Sequence, residues 1–459
     1  MSASPAGAAP QNRRWLNALG LHRPELRAWA MYDFGVSALQ TTITTAVFPI
    51  FFVKVAGEGL SAPVASQWWG SVNTIAAILV ALIAPLLGAL ADVRAAKKRF
   101  LAAFMLLGVG ATAAMFFIQH GQLLLASVLF CLAVGGATAS MTFYESLLPH
   151  IATADEIDRV STAGYALGYI GGGVLLALNL AWILAPGAFG LPHGDGLSKS
   201  DATLPTRLAF LSVAVWWLLF SLPVLRRVAE PPRTIEPDES TTASPLRTAF
   251  TRLRETLREL RGYKQAFLMM VAFTIYNDGI QTIVRMASVY GAEIGIGQSD
   301  LITAILIVQF VGIPCAFAFG TLAGRWGAKR SIFLGLLLYT GICVFAYFMR
   351  TATQFYILAT LVGLVQGGTQ ALSRSLFASM VPKHKSGEFF GFFSVFEKFG
   401  GILGPLLFTI SIGSVGSSRG AILSVILFFA VGAWVLTRVN VAEGEREALA
   451  AEAGVKPLS

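Results

Sequence analysis

Long apolar runs separated by short polar stretches dominate the pattern along the chain. A window of about 20 residues, the length that carries a helix across a hydrocarbon core of about 30 Å, marks them out. Twelve such runs lie near 28–53, 66–91, 100–119, 122–149, 162–186, 207–226, 265–290, 300–323, 331–349, 353–381, 389–412 and 419–438. None shows the alternation of a barrel strand, and in lipid every backbone N–H and C=O must be paired within its own segment, so each run is predicted as a helix. The predicted fold class is an all-α integral membrane protein with twelve transmembrane helices.

Composition agrees. Of 459 residues, 55% are apolar and 13% charged, against about 25% charged in a soluble domain. The net charge of +9 raises nucleic acid as a partner, but the basic residues sit in short loops between the runs. With the N-terminus placed inside, 26 of the 34 Lys and Arg fall on the cytoplasmic side and 5 on the other. That asymmetry predicts both termini in the cytoplasm, and it assigns the charge to anionic headgroups and not to nucleic acid. Residues 1–27 have no apolar core of a cleavable leader and are expected to form a cytoplasmic segment. Residues 28–227 form one six-helix half, 228–263 a cytoplasmic linker, 264–438 a second half and 439–459 a cytoplasmic tail. In the linker, Leu246, Phe250, Leu253, Leu257 and Leu260 recur at helical spacing between arginines, which predicts a basic amphipathic helix on the membrane surface. Cys131, Cys315 and Cys343 lie far apart inside apolar runs and offer neither a disulfide framework nor a metal pair.

The halves repeat each other. Gly88-Ala-Leu-Ala-Asp92-Val-Arg94-Ala-Ala-Lys97 follows span 2, and Gly320-Thr-Leu-Ala-Gly324-Arg325-Trp-Gly327-Ala-Lys329 follows span 8, at an offset of 232. Pro149 and Pro382 close spans 4 and 10, and Gly164 with Gly172 and Gly173 recurs as Gly391 with Gly400 and Gly401. Two parallel six-helix repeats with such a loop resemble the major facilitator superfamily. Gly88 lets helices approach, Asp92 can face a helix N-terminus across the halves, and Arg94, Lys97, Arg325 and Lys329 can hold lipid phosphates. The resemblance implies that these contacts stabilise a state closed on the side opposite the cytoplasm.

Four further stretches narrow the resemblance: Trp29-Ala-Met-Tyr32-Asp33-Phe, Asp158 through Gly173, Tyr276-Asn277-Asp278-Gly279-Ile-Gln281-Thr282, and Gln370 through Arg374 with Glu388 to Gly391. They look like the bacterial branch of the vacuolar amino-acid effluxer family (Atg22-like). The resemblance runs from about 27 to 438 and implies efflux of small metabolites, amino acids in the fungal members.

A charge near the centre of a membrane helix costs about 2.5–3.5 kcal/mol on insertion scales, so each is a functional candidate. Asp278, Gln281, Thr282 and Arg285 fall at i, i+3, i+4 and i+7 on one face of span 7. With Asn277, Tyr276 and Gln370 they are the candidate substrate or proton site. Asp278 can take an ammonium or a proton and Arg285 a carboxylate; a closed Asp278–Arg285 pair of purely structural role is the rival reading. Asp33, Glu145, Arg374, Glu397 and Lys398 lie nearer the cytoplasmic ends and are candidates for ion pairs between the halves, Arg374 with Asp33 or Glu145 foremost. Tyr32, Tyr165, Tyr169 and Tyr276 can line a cavity, although packing is the commoner use.

Gly416-Ser-Ser-Arg-Gly420 matches a nucleophile elbow by letter only, since no strand precedes it. With no Walker loop, dinucleotide fingerprint or HExxH motif, no catalytic residue, metal or cofactor is expected. The predicted protein is a multi-pass secondary transporter of the cell membrane, a monomer exporting a small polar metabolite such as an amino acid, with proton coupling open. An importer of a sugar or cell-wall fragment, or a non-transporting sensor or scaffold on the same fold, is the alternative.

Overall fold

A computed structural model describes residues 14–232, 234–235, 263–293, 296, 298–399, 407, 418–453 and 456–457. The expected amphipathic helix in the linker, the turn at 413–417 and the glycines at 400 and 401 lie outside these residues. Of Arg285 and Lys398 the backbone alone is described.

Each predicted span falls on a helix over its described residues, span 11 being described to Phe399. The first half holds α1 (Pro24–Ala38), α2 (Ala62–Arg94), α3 (Lys97–Ala114), α4 (Leu123–Ser146), α5 (Ile157–Leu184) and α6 (Lys199–Arg227). The second holds α7 (Lys264–Glu293), α8 (Gln298–Trp326), α9 (Ala328–Phe348), α10 (Ala352–Ser379), α11 (Ser386–Phe399) and α12 (Ile426–Thr437). Eight of these are singly long and apolar enough to cross a membrane among the described residues. α1 continues through a π-helical stretch, Leu39–Ala46, into Phe48–Ala56 with a bend of 42°. Pro49 in that second piece removes a backbone donor, which accounts for the break.

Within the first half α1 packs on α5 and α6, and α3 on α4 and α6; within the second, α7 packs on α12, and α10 on α8 and α9. The halves meet where α5 lies against α8 and α10, and where α11 lies against α2 and α4. Lipid is as apolar as these side chains, so close packing and interhelical hydrogen bonds hold the bundle together. The aromatic core serves that packing: Phe48, Phe130, Phe210 and Trp69 stack in the first half, and Phe273, Phe377, Phe390 and Phe393 in the second.

The segment after 438, expected as a tail, contains a helix, α13 (Val441–Ala453), turned by 61° from α12. Gln265 holds it by donating to Glu443 at 2.9 Å and accepting from the Asn440 N–H at 2.8 Å, and the Lys383 N–H donates to Glu452 at 2.9 Å. Beyond it, strand β2 (Lys456–Pro457) pairs antiparallel with β1 (Thr234–Ile235), just past α6. This end of the bundle, with the basic loops, is called the basic end below.

Candidate functional site

The described hydrogen bonds and ion pairs that cross between the halves all lie within about 15 Å of the basic end, at 1.5 Å rise per residue. At their centre is Arg374 on α10, 1% exposed. Its Nε donates to Ser161 Oγ at 3.0 Å and its Nη2 to the Ser161 carbonyl at 2.9 Å. Nη1 stands 3.4 Å from Asp33 Oδ2 and 3.8 Å from Glu145 Oε1. The guanidinium also lies over three rings, Tyr165 at 4.6 Å, Trp29 at 5.0 Å and Tyr144 at 5.7 Å. Every one of these partners belongs to the first half. A buried cation needs both charge compensation and satisfied donors, and this arrangement supplies the two together.

The local sequence explains the cage. Trp29 and Asp33 are four residues apart on α1, and Ser161 and Tyr165 four apart on α5, so each pair shares a helix face. Trp29 stacks on Tyr144 at 4.3 Å, its indole donates to the Tyr144 carbonyl at 2.9 Å, and the Tyr144 hydroxyl donates to Asp33 Oδ2 at 2.8 Å. Gly164 leaves the space: a Cβ there would stand 2.8 Å from Asp33 Oδ2 and 3.1 Å from Arg374 Nη2.

Nearer the basic end a second junction forms around Lys97 at the start of α3. Its Nζ lies 2.8 Å from Asp92 Oδ1, donates to Ser386 Oγ at 2.7 Å and sits 3.0 Å from His150 Nε2, which must therefore accept. Asp92 Oδ2 accepts from the Glu388 N–H at 3.0 Å, in the first turn of α11, where a carboxylate opposes the positive helix end. Glu230 accepts from the Lys98 N–H at 3.0 Å and so caps α3, and burial pushes its carboxyl above the ordinary value. These contacts join the halves at the basic end and hold that end shut. The loop of the first half thus sits where Lys97 and Asp92 reach the start of α11. Replacing Lys97 by Met leaves Asp92, 6% exposed, without its cation. A loss of about 3–5 kcal/mol from the closed form is expected, read as a lower Tm of the purified protein; an unchanged Tm contradicts it.

The loop carries strain. Ala95 adopts φ 46° and ψ 54°, the left-handed region that favours glycine. The left-handed region costs an L-residue about 1–2 kcal/mol, partly offset by the greater unfolded freedom of glycine. Ala95→Gly is therefore expected to raise the Tm slightly, and a fall would show that the alanine methyl is needed.

The two loop copies differ in use. Lys329 donates to the Thr437 and Val439 carbonyls at 3.2 and 2.7 Å, capping α12 within its own half, while Arg94 and Arg325 are exposed. On α7 and α10, Gln370 donates to Asn277 Oδ1 at 3.4 Å, and the Tyr276 and Ser373 hydroxyls are 2.5 Å apart. Tyr276 is fully buried, its hydroxyl bonded to Ser373. Asp278 is 1% exposed and Gln281 half-buried. The expected Asp278–Arg285 pair cannot be described, because the Arg285 side chain lies outside the described residues, as does that of Lys398. Glu397 makes no ion pair among the described residues and stands near Tyr165. No group of His, Cys, Asp and Glu suited to a metal occurs among the described residues.

Sequence reading did not single out Ser161, Tyr144, His150 and Ser386. The arrangement of Trp29, Tyr144 and Tyr165 around one arginine carries no signal in sequence beyond aromatic residues on helices.

Comparisons with known proteins bear on this arrangement. The sequence profile of the family described as "Vacuole effluxer Atg22 like" matches residues 70–449. YxiO of Bacillus subtilis (strain 168), described as an MFS-type transporter, is 36% identical over 420 residues, covering 90% of this chain and 94% of YxiO. Autophagy-related protein 22 of Yarrowia lipolytica is 27% identical over 318 residues, covering 63% of this chain and 51% of the fungal protein. Among solved structures, FucP, a major facilitator superfamily transporter in the outward conformation, matches with a TM-score of 0.68 over 91% of this chain and 100% of its own, at 14% identity. At that identity the likeness is one of fold.

Proposed function

Because the chain belongs to the Atg22-like vacuole effluxer family, with the fold of the major facilitator superfamily, we propose that it is a secondary active transporter of the cell membrane that exports small polar metabolites, amino acids among them, by alternating access. The observation that carries this reading is Arg374: a buried cation of one half whose described partners all belong to the other. A contact of that kind closes the basic end when the halves meet and must come apart when they rock.

With the basic end facing the cytoplasm, the structure corresponds to a state closed inward. Above Arg374, Gln40 midway along α1 is exposed, and Tyr169, Gln281, Gln366 and Gln370 are half-buried. Amides at mid-membrane depth are costly against lipid, so these side chains face the path between the halves. Asn277 Nδ2, fully buried and without a hydrogen-bond partner among the described residues, is a donor to cargo at the same level. Asp278 is the carboxylate that takes the coupling proton. The π-helical turn of α1, in which the Thr45 hydroxyl reaches the Gln40 carbonyl five residues back at 2.9 Å, widens the helix at this depth.

Proteoliposomes loaded with a panel of amino acids test the reading. Loss of at least one amino acid down its gradient is expected, together with loss of pH-driven accumulation in Asp278→Asn. If no solute moves, the transport reading fails; if accumulation survives Asp278→Asn, the proton assignment fails.

A further inference from the structure

One turn beyond Tyr165, on the face of α5 that meets Arg374, Tyr169 reaches into the second half. The Cε2 edge of its ring lies where α8 and α10 cross, and two glycines make the room. A Cβ at Gly367 would stand 2.4 Å from Cε2, and one at Gly312 3.0 Å from both Cδ2 and Cε2. The ring is set in this slot, and the slot fixes the place of its hydroxyl. A tyrosine hydroxyl inside a bundle normally finds a partner, as Tyr276 finds Ser373 and Tyr144 finds Asp33. That of Tyr169 has no hydrogen bond to a described residue. Its residue is half-buried, where the other two are fully buried.

Two further polar atoms stand at the same level. Tyr169 lies about 18 Å from the basic end of α5, Gln366 about 20 Å from that of α10 and Asn277 about 20 Å along α7, at 1.5 Å per residue. Gln366 Oε1 and Asn277 Nδ2 are both buried without a hydrogen-bond partner among the described residues. Together the three groups offer an acceptor, a donor and a hydroxyl that can be either. A cargo that is purely apolar at this level leaves them unpaired, which weakens its binding by about 5- to 150-fold for each group. A site built in this way rejects the analogue that lacks hydrogen-bonding groups.

We infer that Tyr169 is a specificity-determining residue of the transport site, and that with Gln366 and Asn277 it selects amino acids whose side chain carries a carboxamide or hydroxyl over aliphatic ones of similar size. This rests on the transport reading and narrows its cargo.

The test compares L-glutamine with L-norleucine in proteoliposomes containing the full-length protein, since the two side chains are similar in length and differ in hydrogen bonding. The wild type is expected to prefer glutamine in kcat/KM by about 100-fold or more, and Tyr169→Phe to cut that preference by about 5-fold or more. Phenylalanine keeps the ring in the slot, so a cysteine placed at the buried Ser146 should react with a maleimide at the same rate with and without Tyr169→Phe. Should Tyr169→Phe not fold, Gln366→Leu is expected to cut the preference in the same way. Equal kcat/KM for the two amino acids in the wild type, or a preference that survives these variants, overturns the proposal and leaves the transport reading standing. So does movement of other amino acids with neither of these two. Faster labelling alongside the lost preference assigns Tyr169 to holding the halves together and also overturns it. If no solute moves, the transport reading itself fails, and this one with it.

Discussion

Arg374→Ala is expected to reduce transport to background and to leave the purified protein strongly biased towards the form open at the basic end. The variant removes a cation shared by Asp33 and Glu145, each 6% exposed, together with two hydrogen bonds to Ser161. Breaking a buried ion pair from one side costs about 3–5 kcal/mol, because the remaining charge stays desolvated. Here two carboxylates remain, one of which accepts from the Tyr144 hydroxyl. The second variant needed is Asp33→Asn with Arg374→Ala, which removes a negative charge along with the positive one. It is expected to regain part of the closed population and none of the transport. Acid should act in the same direction on Arg374→Ala, since protonating the stranded carboxyls removes the charge that opposes closure. Transport near the wild-type rate in Arg374→Ala would show that the contact is packing without a role in the cycle.

Gly88→Val is expected to have the next largest effect. A Cβ at Gly88 would stand 2.2 Å from the Gly387 carbonyl oxygen and 2.7 Å from its carbon. Both atoms are backbone, so relief requires α2 and α11 to move apart, which also pulls Ser386 from Lys97 and Glu388 from Asp92. Overpacking of this kind costs about 1–3 kcal/mol, which converts to roughly a 5- to 150-fold shift against the closed form. Ser146, fully buried where its carbonyl accepts from Ser386 at 3.0 Å, reports the change. A cysteine placed there should react with a maleimide faster in Gly88→Val by that factor. An unchanged labelling rate would mean that α2 and α11 absorb the side chain without opening.

The helices were legible because lipid leaves the chain no alternative: a backbone that must pair internally over about 30 Å writes its spans as continuous apolar runs. The repeat was legible for a related reason, since each half must present a glycine where helices of opposite halves touch, and Gly88 does so against Gly387. The partners of Arg374 could be narrowed to Asp33 and Glu145 because a buried cation must find a carboxylate at its own depth. Geometry then used both, one at 3.4 Å and one at 3.8 Å.

What sequence could not carry is the rigid-body placement of one half on the other. Lys97 meets His150 and Ser386 only because α11 lies against α2 and α4, and nothing near His150 in sequence marks it as a partner of a lysine. Nothing in the sequence joins Trp29, Tyr144 and Tyr165 until an arginine of the other half is set among them. The bond between the Tyr276 and Ser373 hydroxyls likewise depends on how α7 and α10 are set against each other.

Paired distance measurements across the two ends of the bundle test the opening and closing directly. Spin labels at Arg99 and Arg330 span the halves at the basic end, and labels at Leu184 and Arg350 span them at the other; all four positions are exposed. Two populations are expected at each pair, with conditions that lengthen one distance shortening the other, and with Arg374→Ala enriching the form that is long at the basic end. A single distance at both pairs, unchanged by pH or by Arg374→Ala, would contradict the rocking of two halves about this buried arginine.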